Sequence, residues 1–148
     1  MADLTVTLTE SVTLQGESRG STNTLTIGSV ESTLERIVTC TASNTTTIAV
    51  FNSNVHGAAG AIDIEDTKYI RVTNLDSTNA IELAVVGAAT LYQVALKAGE
   101  SHILGSPDDL MLAEADTSPS FGTMADLGSI QVNPGSNAVK VELFIAGA

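Results

Sequence analysis

The amino-acid sequence predicts an all-β fold built from antiparallel sheets. Apolar and polar residues alternate with a period of two along many short segments, as in strands with one buried face. Turns rich in Gly, Ser and Asn separate these segments at intervals of roughly 8–12 residues. Hydrophobic residues make up 43% of the chain but aromatic residues only 3%, and a core of Val, Ile, Leu and Ala suits closely packed sheets. The expected architectures are a β-sandwich, a jelly roll or a barrel.

The length predicts a single domain spanning residues 1–148. A chain of 148 residues is close to the commonest domain size and buries about two-thirds of its unfolded surface on folding. Cys40 is the only cysteine, so neither an intrachain disulfide nor a cysteine metal cluster can form. Its alternating surroundings predict a buried, unreactive thiol.

The first strands are predicted from the alternation at residues 4–8, which places Leu4, Val6 and Leu8 on one face and threonines on the other. The pattern returns at residues 12–14 and 24–27, with a Gly- and Ser-rich turn at residues 15–21 between them.

The next strands are expected to form a hairpin. One strand covers residues 34–42, and after a polar turn a second covers residues 47–51. Residues 52–60 read as an exposed loop before a short strand at residues 61–64. A helical turn is considered at residues 29–36.

In the second half, strands at residues 69–74, 80–87 and 91–96 are expected to lie side by side in one antiparallel sheet. A short strand follows at residues 102–105, and a turn at residues 133–137 joins the last two strands, residues 129–132 and 139–145. We expect the last strand at a sheet edge, where Val141→Pro would impair assembly. A capped helix is considered at residues 107–111, and residues 115–128 read as a long loop.

The charge excludes two classes of partner. Six basic residues against 17 acidic ones give a formal charge of −11, which repels both nucleic-acid phosphates and anionic lipid surfaces. We therefore expect neither nucleic-acid nor membrane binding. The longest apolar run, residues 83–91, is about half of the roughly 20 residues that a spanning helix needs. The N-terminus does not resemble a signal peptide, which disfavours export by the general secretory route.

No group of residues predicts catalysis. His56 and His102 are the only histidines; one lies in a Gly-Ala loop and the other begins a short strand, and neither adjoins a nucleophile motif. We therefore assign no catalytic residues and no cofactor.

Two acidic clusters are candidate binding sites in the sequence. Asp63, Glu65 and Asp66 offer oxygen ligands for Ca²⁺, but without the spacing of a calcium loop a solvated acidic face is the better interpretation. Asp108 and Asp109 follow Pro107, where they suit the first turn of a helix. No metal site is therefore predicted.

Several segments resemble small jelly-roll proteins of tailed phage particles, including those of marine phages. The matching segments are YIRVTNLD at 69–76, NAIEL at 79–83, LKAGES at 96–101, AVKVE at 138–142, LTESVTL at 8–14 and GSTNTLTI at 20–27. The resemblance implies an antiparallel β-sandwich of the jelly-roll type. It also implies a virion structural protein, such as a capsid decoration, cement or fibre subunit. Such proteins form trimers or other homo-oligomers and contact the major capsid protein or other virion proteins.

The sequence also bears on two other functions. A carbohydrate-binding or adhesin module is the main alternative because β-sandwiches often present sugar sites on loops, although the chain has no Trp for stacking. A hydrolytic enzyme on a β scaffold is disfavoured because no acid, base and nucleophile are assembled.

Overall fold

The fold is known from a computed structural model that describes residues 2–54, 61–87, 91–105 and 124–148. The described residues form strands joined by turns. These are β1 (Ala2–Thr9), β2 (Val12–Leu14), β3 (Glu17–Arg19), β4 (Thr22–Val30), β5 (Ser32–Cys40), β6 (Thr46–Asn52), β7 (Ile62–Asp63), β8 (Thr67–Asn74), β9 (Ile81–Gly87), β10 (Leu91–Leu96), β11 (Ser101–Leu104), β12 (Leu127–Asn133) and β13 (Val139–Gly147).

The first four strands form a two-stranded ribbon, which we call the N-terminal arm (residues 2–30). β1 pairs with β4, and β2 pairs with β3 at the far end. The turn between β2 and β3 has positive φ at both Gln15 and Gly16, as the two-residue turns that suit twisted hairpins require. Gly20 has φ +130, and a Cβ there would overlap the backbone oxygen of Glu10. Glycine therefore allows the two backbones to approach closely between the two strand pairs.

The remaining strands form a β-sandwich. One sheet has the order β11-β8-β13-β5 and the other has the order β10-β9-β12-β6-β7. From β5 onward, consecutive strands lie in opposite sheets except at β6–β7 and at the β9–β10 hairpin. This is the connectivity of a jelly roll, in which two Greek keys wind across two sheets. The pairing is antiparallel apart from the two-residue contact of β7 with β6. The predicted fold class is confirmed.

The core lies between the two sheets and consists mainly of aliphatic side chains. The largest fully buried ones are Ile48, Ile70, Ile81, Leu83, Leu127, Ile130, Leu143, Val72, Val85, Val132, Val139 and Val141. Alternate residues of the central strands supply them, because successive side chains of a strand point to opposite faces.

A buried amide joins two turns at one end of the sandwich. Nδ2 of Asn74 lies 2.9 Å from the carbonyl oxygen of Asn79 and 3.1 Å from those of Leu96 and Lys97. Its Oδ1 accepts the backbone N–H of Asp76 at 3.0 Å. Asn74 is fully buried, so these contacts satisfy a polar group that water does not reach.

Strand partners differ from the sequence predictions in two places. The hairpin predicted over residues 34–51 is wrong, because β5 and β6 lie in opposite sheets. Residues 69–74 do not join the sheet of β9 and β10 either; β8 pairs with β11 and β13 instead. In both cases the polar connection crosses from one sheet to the other, which residue alternation cannot distinguish from a return within one sheet.

The prediction that the last strand lies at an edge is also wrong. β13 lies between β8 and β5, and its Val141 is fully buried. The helical turn considered at residues 29–36 is strand, formed by the end of β4 and by β5. The predicted long loop ends before residue 127, where β12 begins. The helix considered at residues 107–111 lies outside the described residues.

Candidate interaction surface

The N-terminal arm has one apolar face and one threonine face. In the β1–β4 register, Leu4 is opposite Ile27 and Val6 is opposite Leu25, whereas Thr5, Thr7 and Thr9 are opposite Thr26, Thr24 and Thr22. Residues directly opposite in an antiparallel pair project to the same side. Leu8 extends the apolar face toward the β2–β3 end.

The apolar side chains are exposed over the outer part of the arm, where Leu8, Val12 and Leu14 are opposite the polar residues Asn23, Arg19 and Glu17. Exposed fractions are 51% for Leu8, 55% for Val12, 58% for Leu14 and 47% for Leu25. They are half of the large exposed hydrophobic side chains in the described part of the chain. The arm carries few charges: its acidic residues are Asp3, Glu10 and Glu17, and its basic residue is Arg19. A clustered apolar surface of this kind marks an interaction site more often than scattered exposed residues do.

At its base the arm forms one wall of a groove of about 410 Å³. The wall consists of the five consecutive residues 4–8, so it is the edge of β1 that lines the groove, because consecutive side chains alternate between faces. Leu4 and Val6 are half-buried while Thr5 and Thr7 are exposed. The apolar face of the arm therefore turns toward the sandwich.

The floor of the groove is the outer face of the β11-β8-β13 sheet. It is lined by Tyr69, Arg71, Ser101, Ile103 and Phe144. Tyr69 is buried, and its ring packs edge-on against Phe144 with centroids 6.1 Å apart. Burial raises the pKa of the Tyr69 hydroxyl, and the nearby Arg71 charge opposes that rise. The tyrosine is therefore neutral at physiological pH.

The single cation on the floor is already paired. Arg71 Nη1 lies 2.7 Å from Glu142 Oε2 and also contacts the hydroxyl of Thr73. The Arg71 guanidinium carbon lies 6.0 Å from the centre of the Phe144 ring, within the range of a cation–π contact. The floor is thus an apolar surface with one neutralised charge, which suits apolar side chains better than an anionic ligand.

The edge of β5 differs from the edge of β1. β5 is a nine-residue edge strand, but Arg36 on it reaches the backbone oxygen of Ile48 in β6. A charged side chain directed between the sheets is one of the ways in which edges resist pairing with another chain. In contrast, the edge of β1 has no proline, glycine or charge between Leu4 and Leu8, and within the described residues β1 pairs with β4 alone.

Of the two histidines in the sequence, the structure describes His102. His56 lies outside the described residues. His102 is half-buried, and its Nε2 lies 2.9 Å from the Tyr92 hydroxyl. This contact joins β10 of one sheet to β11 of the other, and burial lowers the pKa of His102. Its observed role is to hold together the side of the sandwich formed by these two edge strands.

The acidic cluster at Asp63, Glu65 and Asp66 is a turn. Asp63 ends β7, so Glu65 does not continue that strand. Asp63 Oδ1 accepts the backbone N–H of Glu65 at 3.0 Å. Among the residues that the structure describes, no three His, Cys, Asp or Glu side chains are placed to hold a metal ion.

Cys40 is fully buried, as predicted, and burial raises its pKa more than a hydrogen bond with Thr46 lowers it. Asp108 and Asp109 lie outside the described residues. Over the described ranges, no helix has both the length and the apolar character needed to cross a membrane.

Alternation within the arm was evident in the sequence, but its exposure was not. A period of two indicates that one face of the strand is apolar, but it does not indicate whether another part of the chain covers that face. A signal was available: residues 4–27 contain six threonines on the opposite face and no aromatic residue, which is a weak composition for packing into a core.

The fold was compared with those of known proteins. No protein-family model matches the chain, and no curated protein matches its sequence. A solved structure described as "Bacillus endospore appendages form a novel family of disulfide-linked pili" is similar at a TM-score of 0.42 and 10% sequence identity. The match covers 82% of this chain and 91% of that one. Function is therefore inferred from the residues of this chain.

Proposed function

We propose that this protein is a non-catalytic structural subunit that assembles with other copies of itself through the N-terminal arm. The observation that carries the proposal is the apolar face of the arm, with Leu8, Val12, Leu14 and Leu25 about half exposed. A soluble chain with this surface gains stability by covering it, because apolar area removed from water is the main driving force for association.

The magnitude of this gain indicates what kind of contact is needed. Complete burial of a Leu or Val side chain contributes about 1.5–3 kcal/mol, so covering the half that is still exposed contributes roughly 1 kcal/mol per residue. Four residues in each of two arms then contribute roughly 8 kcal/mol, whereas association costs about 4–15 kcal/mol. Apolar contact between two arms alone is therefore marginal, and stable assembly requires further contacts.

The narrower proposal is a virion component, either a capsid decoration or cement protein or a fibre subunit. It is supported by the resemblance of residues 69–76, 96–101 and 138–142 to jelly-roll proteins of phage particles, and by the jelly-roll connectivity of the sandwich. Its partners would be other copies, as a trimer or another oligomer, and the major capsid protein or its neighbours. Immunogold labelling of particles tests this: label on a shell, tail or fibre is expected, and label only on non-particle material would contradict it.

Self-assembly is tested by sedimentation equilibrium with matched variants. We expect the wild-type protein to form oligomers that dissociate on dilution. Leu8→Ser on the arm is expected to weaken them, because it removes apolar surface from the proposed contact. Leu75→Ser is the control, since Leu75 is also exposed, at 44%, but lies after β8. A wild-type protein that stays monomeric up to its solubility limit, or equal effects of the two variants, would contradict the proposal.

A further inference from the structure

We infer that two copies pair along the edge of β1, antiparallel and about a two-fold axis through Val6. This inference rests on the proposed function and specifies the contact that arm-to-arm packing requires. The second copy supplies a strand, and each copy both donates and receives one.

The sequence of β1 is a palindrome at this edge. Residues 4–8 read Leu-Thr-Val-Thr-Leu in both directions. Antiparallel pairing centred on Val6 therefore places Val6 opposite Val6 of the second copy, Leu4 opposite Leu8, and Thr5 opposite Thr7. Apolar and Thr–Thr pairs directly across two strands each contribute about 0.2–1 kcal/mol. Every pair in this register joins side chains of the same class, which a strand of unrelated sequence would not provide.

Pairing would extend the arm into a four-stranded sheet of the order β4-β1-β1-β4. The register of β1 with β4 already places Leu25 and Ile27 on the same face as Val6 and Leu4. In the extended sheet the apolar residues of both copies lie on one face, and the backbone groups along both β1 edges become hydrogen-bonded. These backbone bonds are the further contacts that apolar burial alone lacks.

The groove beside β1 provides space for the second strand. Neighbouring strands lie about 4.7–4.9 Å apart, so a strand paired with β1 runs along the groove lined by residues 4–8 and by Ile103 and Phe144. Because a cavity of about 150 Å³ holds one benzene molecule, a groove of about 410 Å³ has room for several Leu or Val side chains. The arm turns its apolar face toward this floor, and the second strand would do the same.

A symmetric contact of this kind closes on itself. The same surface is used by both copies, which gives a dimer and does not propagate into a filament. Residues 4–8 carry no charge, so the charge of −11 on each copy does not place like charges directly across the pairing.

Single-cysteine variants test the register. Opposed Cα atoms in an antiparallel pair lie about 4.5–5.5 Å apart, within the 4.4–6.8 Å that a disulfide spans. Val6→Cys is therefore expected to form a disulfide-linked dimer under mild oxidation. Two copies of Leu8→Cys place their thiols about four residues apart along the strand, or roughly 14 Å, and should not cross-link. Mixing Leu4→Cys with Leu8→Cys should restore cross-linking, because these positions are opposite one another.

The wild-type protein serves as the control without an added cysteine, since the thiol of Cys40 is fully buried. We expect roughly tenfold more linked dimer from Val6→Cys, and from the mixed pair, than from Leu4→Cys or Leu8→Cys alone, because disulfides form only within the Cα range above. Equal cross-linking at all three positions would overturn the register. Absence of cross-linking in a protein that native mass spectrometry shows to be oligomeric would overturn the β1 contact while leaving self-assembly intact. A protein that is monomeric by native mass spectrometry would overturn both.

Discussion

Replacing Asn74 with Asp is the sharpest test of how the sandwich is held at the end where β8 and β10 finish. The change keeps the size of the side chain and the Oδ1 that accepts the N–H of Asp76. It replaces the amide nitrogen, which faces the carbonyl oxygens of Asn79, Leu96 and Lys97 at 2.9–3.1 Å, with an oxygen. Four oxygen atoms would then meet in a site that water does not reach.

The expected loss of stability follows from these contacts. The amide has two hydrogens for three carbonyl oxygens, so two full hydrogen bonds are lost, at about 1 kcal/mol each. Leaving buried acceptors unsatisfied adds about 1–3 kcal/mol. We therefore expect Asn74→Asp to lower the free energy of unfolding by about 3–5 kcal/mol at neutral pH. The loss should shrink as pH falls toward about 4 and level off below it, because burial among carbonyl oxygens disfavours the charged form, a protonated carboxyl donates one hydrogen bond, and the Asp pKa in the unfolded state is about 3.9.

Urea unfolding followed by circular dichroism measures this loss. Wild type and variant are compared at one protein concentration, since association adds to apparent stability. Asn44→Asp is the matched control, because Asn44 is exposed and its Nδ2 donates to one carbonyl oxygen, that of Ala42. The control should change stability by no more than about 0.5 kcal/mol. A loss below about 1 kcal/mol in Asn74→Asp at neutral pH, or one equal to that of the control, would refute the reasoning.

Three further outcomes are expected. Val141→Pro should prevent stable folding, seen as loss of the urea transition, because β13 is central, Val141 is fully buried and proline removes a ladder donor there; a folded variant with altered assembly alone would contradict this. Burial lowers the pKa of His102 beside Tyr92, so the unfolded state binds its proton more readily, and stability should decline as pH falls below about 6.5. His102→Gln should flatten that decline in urea midpoints, and an unchanged pH profile would argue against it. Gly20→Ala should speed amide hydrogen exchange at the β2–β3 end of the arm while Gly105→Ala, with open space around it, should not; equal protection in both variants would count against the close backbone approach at residue 20.

Much of the strand pattern could be predicted from the sequence. Alternation located β1, β4, β8, β9 and β13 to within a few residues, because the side-chain period of a strand is a local property. It also indicated that Cys40 is buried, since that residue continues the apolar positions of β5. The pairing partner of each strand, in contrast, is not determined by neighbouring residues in the sequence. The polar connections after β5 and β8 cross between sheets, and β13 lies in the centre of its sheet.

The candidate interaction surface divides in the same way. The alternation and the palindrome of residues 4–8 are properties of the sequence by itself, and they determine which side chains share a face and which would meet in a symmetric pair. Only the tertiary structure decided that no second sheet in the described chain covers Leu8, Val12, Leu14 and Leu25. The physical reason is that a period of two indicates an apolar face in need of cover, whereas the source of that cover depends on contacts between residues far apart in the chain.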